Sequence, residues 1–222
     1  MGKRFIILGI IILISSIIIK SAYVGFKSIK LDEFRPAAVI FAIDISASNQ
    51  NQLYKQKSYI NSFCKMLDPD DKVKIISISQ DAFLIYEGSS QNGSGIRKSM
   101  DKYTQFDSAA WGTGYGTAIK KAMQHALSMQ REGYDPTVII IGDLENEGDV
   151  KRQINWNTLP KNIENVKKYC PNLSMAFLYA HPSKLDFVKN KLGPVLGEEK
   201  LVIATEEMMD KVNRSIMNAM GR

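Results

Sequence analysis

From Ala37 onward, uninterrupted runs of β-branched and other apolar residues alternate with longer amphipathic segments. The first of these runs, AAVIFAIDI, has no polar residue before Asp44, which is typical of a central parallel strand buried on both faces. Such strands alternating with helices indicate an α/β fold, because each helix returns the chain to begin the next parallel strand. The sequence therefore predicts a doubly wound, Rossmann-like sheet with helices on both faces.

The remaining elements follow from periodicity and turn residues. Further strands are predicted at 72–79, 82–88, 137–143, 173–180 and 200–205, and helices at 51–67, 95–103, 116–132, 159–169, 184–192 and 206–220. Only Gln80 and Asp81 separate the second and third strands, which predicts an antiparallel hairpin at one edge. The expected sheet is six-stranded and mostly parallel, with one antiparallel edge strand.

A separate apolar segment precedes this domain. Residues 5–19 carry no charge, with Lys3 and Arg4 before them and Lys20 after them. A membrane-spanning helix needs about 20 apolar residues, so this run spans a bilayer only if Lys20 reaches the interface or the helix continues to Val24. The small-residue pattern of a cleavage site is poor, which favours an uncleaved anchor over the alternative of a signal peptide. The predicted organisation is a basic N-terminus at 1–4, a transmembrane signal-anchor helix at 5–24, a linker at 25–36 and one domain at 37–222.

The charges that flank this segment leave its orientation nearly open. Basic residues lie on both sides, so the rule that cytoplasmic loops are the more basic ones favours neither direction. An N-terminal anchor with a basic start and a large following domain most often places that domain outside the cytoplasm. The prediction is a single-pass membrane protein whose domain is extracytoplasmic.

The charged residues and cysteines exclude several classes of function. The net charge is +6, but basic and acidic residues are interleaved and no basic stripe with aromatic residues is present, so no nucleic-acid partner is expected.

Cys64 and Cys170 have neither a metal-binding nor a redox spacing. Cys64 lies in an amphipathic helical segment, which favours a buried free thiol, and a disulfide between the two cysteines stays an alternative.

Three separate segments offer oxygen-bearing side chains where a strand ends or a helix begins. Asp44, Ser46 and Ser48 follow the first buried strand, and their alternate spacing points them the same way while the chain stays extended. Thr113 precedes the longest predicted helix, and Asp143 ends the strand after that helix. Because open α/β sheets bind ligands at the carboxyl ends of their strands, these five side chains are expected to meet at one edge.

The chemistry of these donors selects a class of ion. Oxygen donors alone suit a hard cation such as Mg²⁺, with Mn²⁺ or Ca²⁺ as alternatives, and argue against zinc and copper. The sequence therefore predicts one divalent cation, bound by Asp44, Ser46, Ser48, Thr113 and Asp143.

The same residues resemble the metal-ion-dependent adhesion site of the von Willebrand factor type A (VWA) family. That site combines D-x-S-x-S, a threonine in a G-T-x-x-G-x-A context, and an aspartate after a later strand. Here the matching residues are 44–48, 112–118 and Asp143, in the same order. D-x-S-x-S alone is a weak signal, but the three parts together are specific. The resemblance implies a six-stranded VWA fold and a protein-binding module rather than an enzyme.

The resemblance also implies a role for each residue. Ser46, Ser48 and Thr113 would bind the ion directly, while Asp44 and Asp143 would act through ordered waters and orient the serines. A coordination sphere of neutral hydroxyls and water leaves the ion most of its positive charge, so an open position attracts an anion. The expected partner is a protein that presents Asp or Glu to the metal, in adhesion, as a receptor or in complex assembly.

Three nearby residues are candidates for contact with that partner. Trp111 and Tyr115 flank Thr113, and an aromatic side chain beside a metal-dependent contact is a reasonable recognition anchor. Packing of Trp111 beneath the loop is an equally good interpretation. Leu144 stands where the family frequently has glycine, and Glu145 follows it. Glu145 is interpreted either as support for the site or as a plain solvated carboxylate.

Two other functions fit parts of the pattern. Asp44 and Gly142-Asp143, each after a hydrophobic strand, mimic the motifs of a haloacid dehalogenase-like, Mg-dependent phosphatase. That chemistry needs a general acid at position 46, where Ser46 cannot serve. The second alternative is a scaffold whose metal site is purely structural. No Walker-type motif is present and GTGYG lacks the spacing of a dinucleotide fingerprint, so no nucleotide is expected.

Overall fold

The strands form one six-stranded sheet in a computed structural model that describes residues 35–104, 112–145 and 148–222. They are β1 (Ala37–Asp44), β2 (Lys72–Ile78), β3 (Ala82–Ser89), β4 (Asp135–Ile141), β5 (Ser174–Leu178) and β6 (Leu201–Ala204). Their order is β3-β2-β1-β4-β5-β6, and β3 alone runs antiparallel to its neighbour. The predicted mostly parallel sheet with an antiparallel edge strand is confirmed.

Helices cover both faces of this sheet. The α-helices are α1 (Gln50–Cys64), α2 (Gly93–Tyr103), α3 (Tyr115–Arg131), α4 (Leu159–Lys167), α5 (Leu185–Leu196) and α6 (Met209–Met220). Apolar side chains of α3, α4 and α5 pack in one core with alternate residues of β1 such as Ile40. Side chains of α1, α2 and α6 pack in a second core with the intervening residues, such as Phe41. The central strand is buried on both faces because it contributes to both cores.

The observed boundaries differ from the predicted ones at several element ends, by four residues at the end of α5, which extends to Leu196, and by smaller amounts elsewhere. The first helix ends at Cys64 rather than at 67. The last helix begins at Met209, because Glu206–Met208 form a 3₁₀ turn first. Strand β4 ends at Ile141 rather than at Asp143, because the Asp143 carboxylate accepts the amide of Glu145 and turns the chain. Asp143 therefore lies in a loop beyond the sheet.

The two cysteines are buried and free. Cys64 belongs to the core on one face of the sheet and Cys170 to the core on the other, which excludes the alternative of a disulfide between them. Burial raises the pKa of the Cys64 thiol to about 12, so this group behaves as a small apolar side chain.

The predicted membrane anchor at 5–24 lies within residues 1–34, outside the described part of the chain. Among the residues that are described, no helix is both long and apolar enough to cross a membrane. The anchor and its orientation therefore stay predictions from the sequence.

Candidate metal site

Two carboxylates lie together at the carboxyl edge of the sheet. Asp44 is the last residue of β1, and Asp143 follows the end of the neighbouring parallel strand β4. Ile43 is paired with Ile141 in the register between these strands, so the two chains leave the sheet side by side. The parallel pairing of β1 and β4 therefore brings Asp44 and the loop that carries Asp143 to the same edge of the sheet.

Asp44 is held by hydrogen bonds at both of its carboxylate oxygens. Its side chain is completely buried; Oδ1 accepts the backbone amide of Ser46 at 2.8 Å and Oδ2 accepts the Tyr115 hydroxyl at 2.5 Å. Burial raises the pKa of Asp44 to about 6, although the hydrogen bonds from Tyr115 and Ser46 oppose the shift. A carboxylate buried in this way is more easily kept ionised when a cation lies near it.

Tyr115 bridges the two aspartates. It is the first residue of α3, its side chain is completely buried, and its hydroxyl lies 3.3 Å from Asp143 Oδ1 as well as 2.5 Å from Asp44 Oδ2. Burial and the two nearby carboxylates raise the pKa of the Tyr115 hydroxyl, so it keeps its proton and acts as a donor. This burial contradicts the prediction that Tyr115 contacts a partner directly; its side chain organises the site from below.

Gly142 makes room for this bridge. A Cβ atom at position 142 would lie 2.1 Å from the Tyr115 hydroxyl oxygen and 2.7 Å from the Asp44 Cβ. No larger residue fits between them unless the tyrosine moves. The close approach of β1, β4 and the start of α3 at this point therefore depends on a glycine.

Leu144 and Glu145 shape the loop after Asp143. Leu144 has a φ of +63° and is buried in the core, so a leucine here takes the left-handed conformation that glycine adopts without strain. The amide of Glu145 donates to Asp143 Oδ1 at 2.8 Å, while its carboxylate pairs with Lys184 at 3.3 Å. Glu145 thus orients Asp143 through its backbone, and a role for its carboxylate in partner binding stays a prediction.

Two hydroxyl residues lie at the same edge of the sheet: Ser46 follows β1, and Thr113 precedes Gly114, whose amide donates to the Ser79 carbonyl just after β2. Ser46 directly follows β1 in an extended conformation, and Ser46 and Thr113 are both 3% exposed. The chain does not stay extended beyond that point, because Ala47–Asn49 form a 3₁₀ turn. The expectation that residues 44, 46 and 48 all alternate along one strand is therefore wrong beyond Ser46, and the side chain of Ser48 lies outside what the structure describes.

Asn49 also supports this site, although the sequence pattern did not single it out. The Asn49 side-chain nitrogen donates to the Asp44 carbonyl oxygen at 2.7 Å and to Gln56 Oε1 at 3.0 Å, and Gln56 Nε2 donates back to Asn49 at 2.8 Å. Both side chains are buried. A buried amide pair across the start of a helix fixes the turn that carries Ser46, and a polar residue just after D-x-S-x-S was the only signal for it.

The donor set fits a hard divalent cation. Asp44, Ser46, Thr113 and Asp143 supply only oxygen atoms at this edge. Within the described ranges, no three His, Cys, Asp or Glu side chains form a cluster that could hold a metal, so an ion here would depend on the hydroxyl groups as well as on the two carboxylates. The prediction for Trp111 falls on residues 105–111, outside the described part of the chain.

One family model matches about half of the sequence of this chain. Residues 39–146 match the family model described as von Willebrand factor type A domain. No curated protein matches the sequence of this chain.

Several solved structures share the fold. The conserved hypothetical protein BatB from Bacteroides thetaiotaomicron is 17% identical with a TM-score of 0.57, over 84% of this chain and 100% of that one. An aerotolerance-related membrane protein from Bacteroides fragilis is 16% identical with a TM-score of 0.54, over 82% of this chain and 98% of that one. The SpRpn10 VWA domain is 11% identical with a TM-score of 0.59, over 84% of this chain and 98% of that one. At such identities the likeness concerns the fold alone.

Proposed function

We propose that this chain, which contains a von Willebrand factor type A domain, binds one divalent cation at the carboxyl edge of its sheet and uses it to capture a partner protein. Mg²⁺ is the proposed ion. Ser46, Ser48 and Thr113 are its proposed direct ligands, with Asp44 and Asp143 acting through water molecules. The observation that carries the proposal is that the buried Tyr115 hydroxyl bridges Asp44 and Asp143, at the edge of the sheet where the buried Ser46 and Thr113 also lie.

The hydrogen bonds of Asp44 agree with an indirect role for that residue. Both of its oxygens already accept a hydrogen bond, one from Ser46 and one from Tyr115. A carboxylate engaged in this way supplies negative charge and orients its neighbours more readily than it binds the ion itself. The ion then keeps most of its charge and has an open position for an Asp or Glu side chain of the partner.

Binding is favoured over catalysis by the same contacts. A phosphatase of the haloacid dehalogenase type would need an Asp44 oxygen free to attack phosphorus and an acid two residues later. Here the Asp44 oxygens are both engaged, and position 46 is a serine. VWA domains are in general protein-interaction modules, and this chain is proposed to act as one.

The place of the domain in the cell is part of the proposal. Residues 5–24 would anchor the chain in a membrane as a single-pass helix, with the domain on the extracytoplasmic side. A structure of similar fold comes from a protein named as an aerotolerance-related membrane protein, which agrees with an anchored VWA domain. The partner would therefore be a protein in or at the same membrane.

The test uses the full chain in lipid nanodiscs. Isothermal titration calorimetry measures Mg²⁺ binding by the wild-type chain, by Asp44→Ala and by the control Asp70→Ala, which alters an exposed carboxylate before β2 at the opposite edge. The same proteins are then used to capture partners from solubilised membranes in Mg²⁺ and in chelator. The wild-type and Asp70→Ala chains should bind Mg²⁺ and capture a partner in Mg²⁺ only, while Asp44→Ala does neither.

Two other results would select the alternatives. Metal binding together with equal capture in Mg²⁺ and in chelator would mean that the ion is structural. Magnesium-dependent hydrolysis of p-nitrophenyl phosphate that Asp44→Asn abolishes would mean a phosphatase. A wild-type chain that binds no divalent cation overturns the proposal.

A further inference from the structure

Tyr115 lies between the two carboxylates and, with two backbone amides, restrains how they can turn. Asp44 Oδ1 and Oδ2 each accept a bond, and Asp143 Oδ1 lies within hydrogen-bond distance of both the Glu145 amide and the Tyr115 hydroxyl. Asp143 Oδ2 has no hydrogen-bond partner among the described residues. Three of the four carboxylate oxygens are therefore held in place by hydrogen bonds, which limits the rotation of both carboxylates.

The bridge is also rigid. The Tyr115 side chain has no exposed surface, and a Cβ at Gly142 would come within 2.1 Å of its hydroxyl oxygen, so the packing leaves the ring little room to turn away. The backbone before and after the tyrosine is equally confined. A Cβ at Gly114 would lie 2.5 Å from the Gln80 carbonyl oxygen, and one at Gly116 would lie 2.0 Å from the Gln153 carbonyl oxygen.

The two cations at issue differ in what they require. Ca²⁺ takes six to eight oxygen ligands in flexible geometry and commonly uses carboxylates with both oxygens, whereas Mg²⁺ takes six and keeps several of its waters. A rigid site that offers few carboxylate oxygens therefore suits Mg²⁺. Carboxylates that could rotate and bind with both oxygens would suit Ca²⁺ better.

We propose that Tyr115 is the positioning residue that makes this site select Mg²⁺ over Ca²⁺, by holding Asp44 and Asp143 through one shared hydroxyl. The proposal rests on the proposed function, since it assumes that the site binds a divalent cation. Tyr115 itself does not bind the ion; it keeps the two aspartates in the orientation in which they act through water, and prevents them from turning both oxygens towards the ion.

The test compares Tyr115→Phe with the wild-type chain, again in nanodiscs. Calorimetric titrations with Mg²⁺ and with Ca²⁺ give the ratio of the two affinities, and thermal unfolding in chelator reports whether the fold is kept. The matched control is Tyr59→Phe, which removes the hydroxyl of another buried tyrosine, in the core of α1, α2 and α6, where that oxygen has no hydrogen-bond partner within the described ranges. In Tyr115→Phe the affinity for Ca²⁺ relative to Mg²⁺ should rise about tenfold or more, and in Tyr59→Phe it should not change.

The outcomes separate this proposal from the proposed function. An unchanged ratio in a folded Tyr115→Phe chain overturns the role of Tyr115 while leaving the metal site in place. If Tyr115→Phe lowers the affinities for Mg²⁺ and Ca²⁺ equally, the tyrosine is needed for binding but not for selection between the ions. This result also overturns the proposal. If Tyr115→Phe does not fold, Gly142→Ala, which displaces the hydroxyl instead of removing it, provides the same comparison. A wild-type chain that prefers Ca²⁺ overturns the proposal directly, and one that binds neither ion ends the proposed function as well.

Discussion

Arg222 forms a bidentate ion pair with Asp71, in which Nη1 donates to Oδ2 at 2.5 Å and Nη2 donates to Oδ1 at 2.8 Å. Asp71 is 1% exposed and also accepts the backbone amides of Ala37 and Asp68. One buried carboxylate thus ties the start of β1 to the loop before β2 and to the residue just after α6. These contacts lie at the amino edge of the sheet, opposite the candidate metal site.

Arg222→Ala should destabilise the domain without affecting metal binding. Removing the guanidinium leaves the buried Asp71 charge without its cation, which costs about 2–4 kcal/mol of unfolding free energy. Urea denaturation in chelator measures this loss, and Arg214→Ala, an exposed arginine on α6, serves as the control. An effect no larger than that of the control would mean that the ion pair does not stabilise the fold.

Asp44→Asn should abolish Mg²⁺ binding, and the stability of the metal-free variant relative to wild type should rise as the pH increases through about 6. The pKa of Asp44 is raised from 3.8 to about 6, so the folded protein holds a proton that the unfolded chain has released between these values. Stability from this group is present at low pH and is lost as the pH rises through about 6. Asparagine carries no such charge, so the stability of the variant relative to wild type should increase by about 1 kcal/mol from pH 5 to pH 8. Denaturation curves in chelator at the two pH values test the sign, and a constant difference would contradict it.

The architecture of the domain could be predicted because its signals are local. The apolar run of β1 specifies burial on both faces without reference to any distant residue, and the two-residue turn at Gln80 specifies the antiparallel edge. The parallel pairing of β1 and β4 then places Asp44 and the loop with Asp143 at one edge of the sheet. The general position of the site followed from these features.

The role of Tyr115 could not be predicted because it depends on packing between distant elements. Its position beside Thr113 suggested an exposed aromatic residue, but the start of α3 lies against the ends of β1 and β4 and directs the ring inward. Gly142 carried a usable signal, since a glycine that directly follows a buried strand often marks a close approach by another group. The 3₁₀ turn at Ala47–Asn49 is too short to show the hydrophobic periodicity from which the longer helices were predicted.

Ser46→Ala should remove stabilisation by Mg²⁺ while leaving the metal-free domain intact. The backbone amide of Ser46, which orients Asp44, is retained; a proposed ligand oxygen and the side-chain hydrogen bond from Ser46 to Asp44 are lost. In the wild-type chain, Mg²⁺ at a thousandfold excess over its dissociation constant should add about 4 kcal/mol of unfolding free energy. Thermal unfolding with Mg²⁺ and with chelator measures this difference, with Ser58→Ala on the exposed side of α1 as the control. An equal increase in Ser46→Ala and wild type would remove Ser46 from the set of ligands.

Leu144 should respond to glycine and alanine differently from an ordinary core leucine. Both substitutions lose the buried side chain, which costs about 2–5 kcal/mol, but only glycine relieves the left-handed conformation at φ +63°. Leu173 is fully buried and has no positive φ, so there glycine should be the worse of the two by about 1 kcal/mol. At position 144 the glycine variant should gain about 1–2 kcal/mol of unfolding free energy relative to the alanine variant, compared with the same pair at position 173. Urea denaturation of the four variants in chelator measures both differences, and equal differences at the two positions would show that the Leu144 backbone stores no strain.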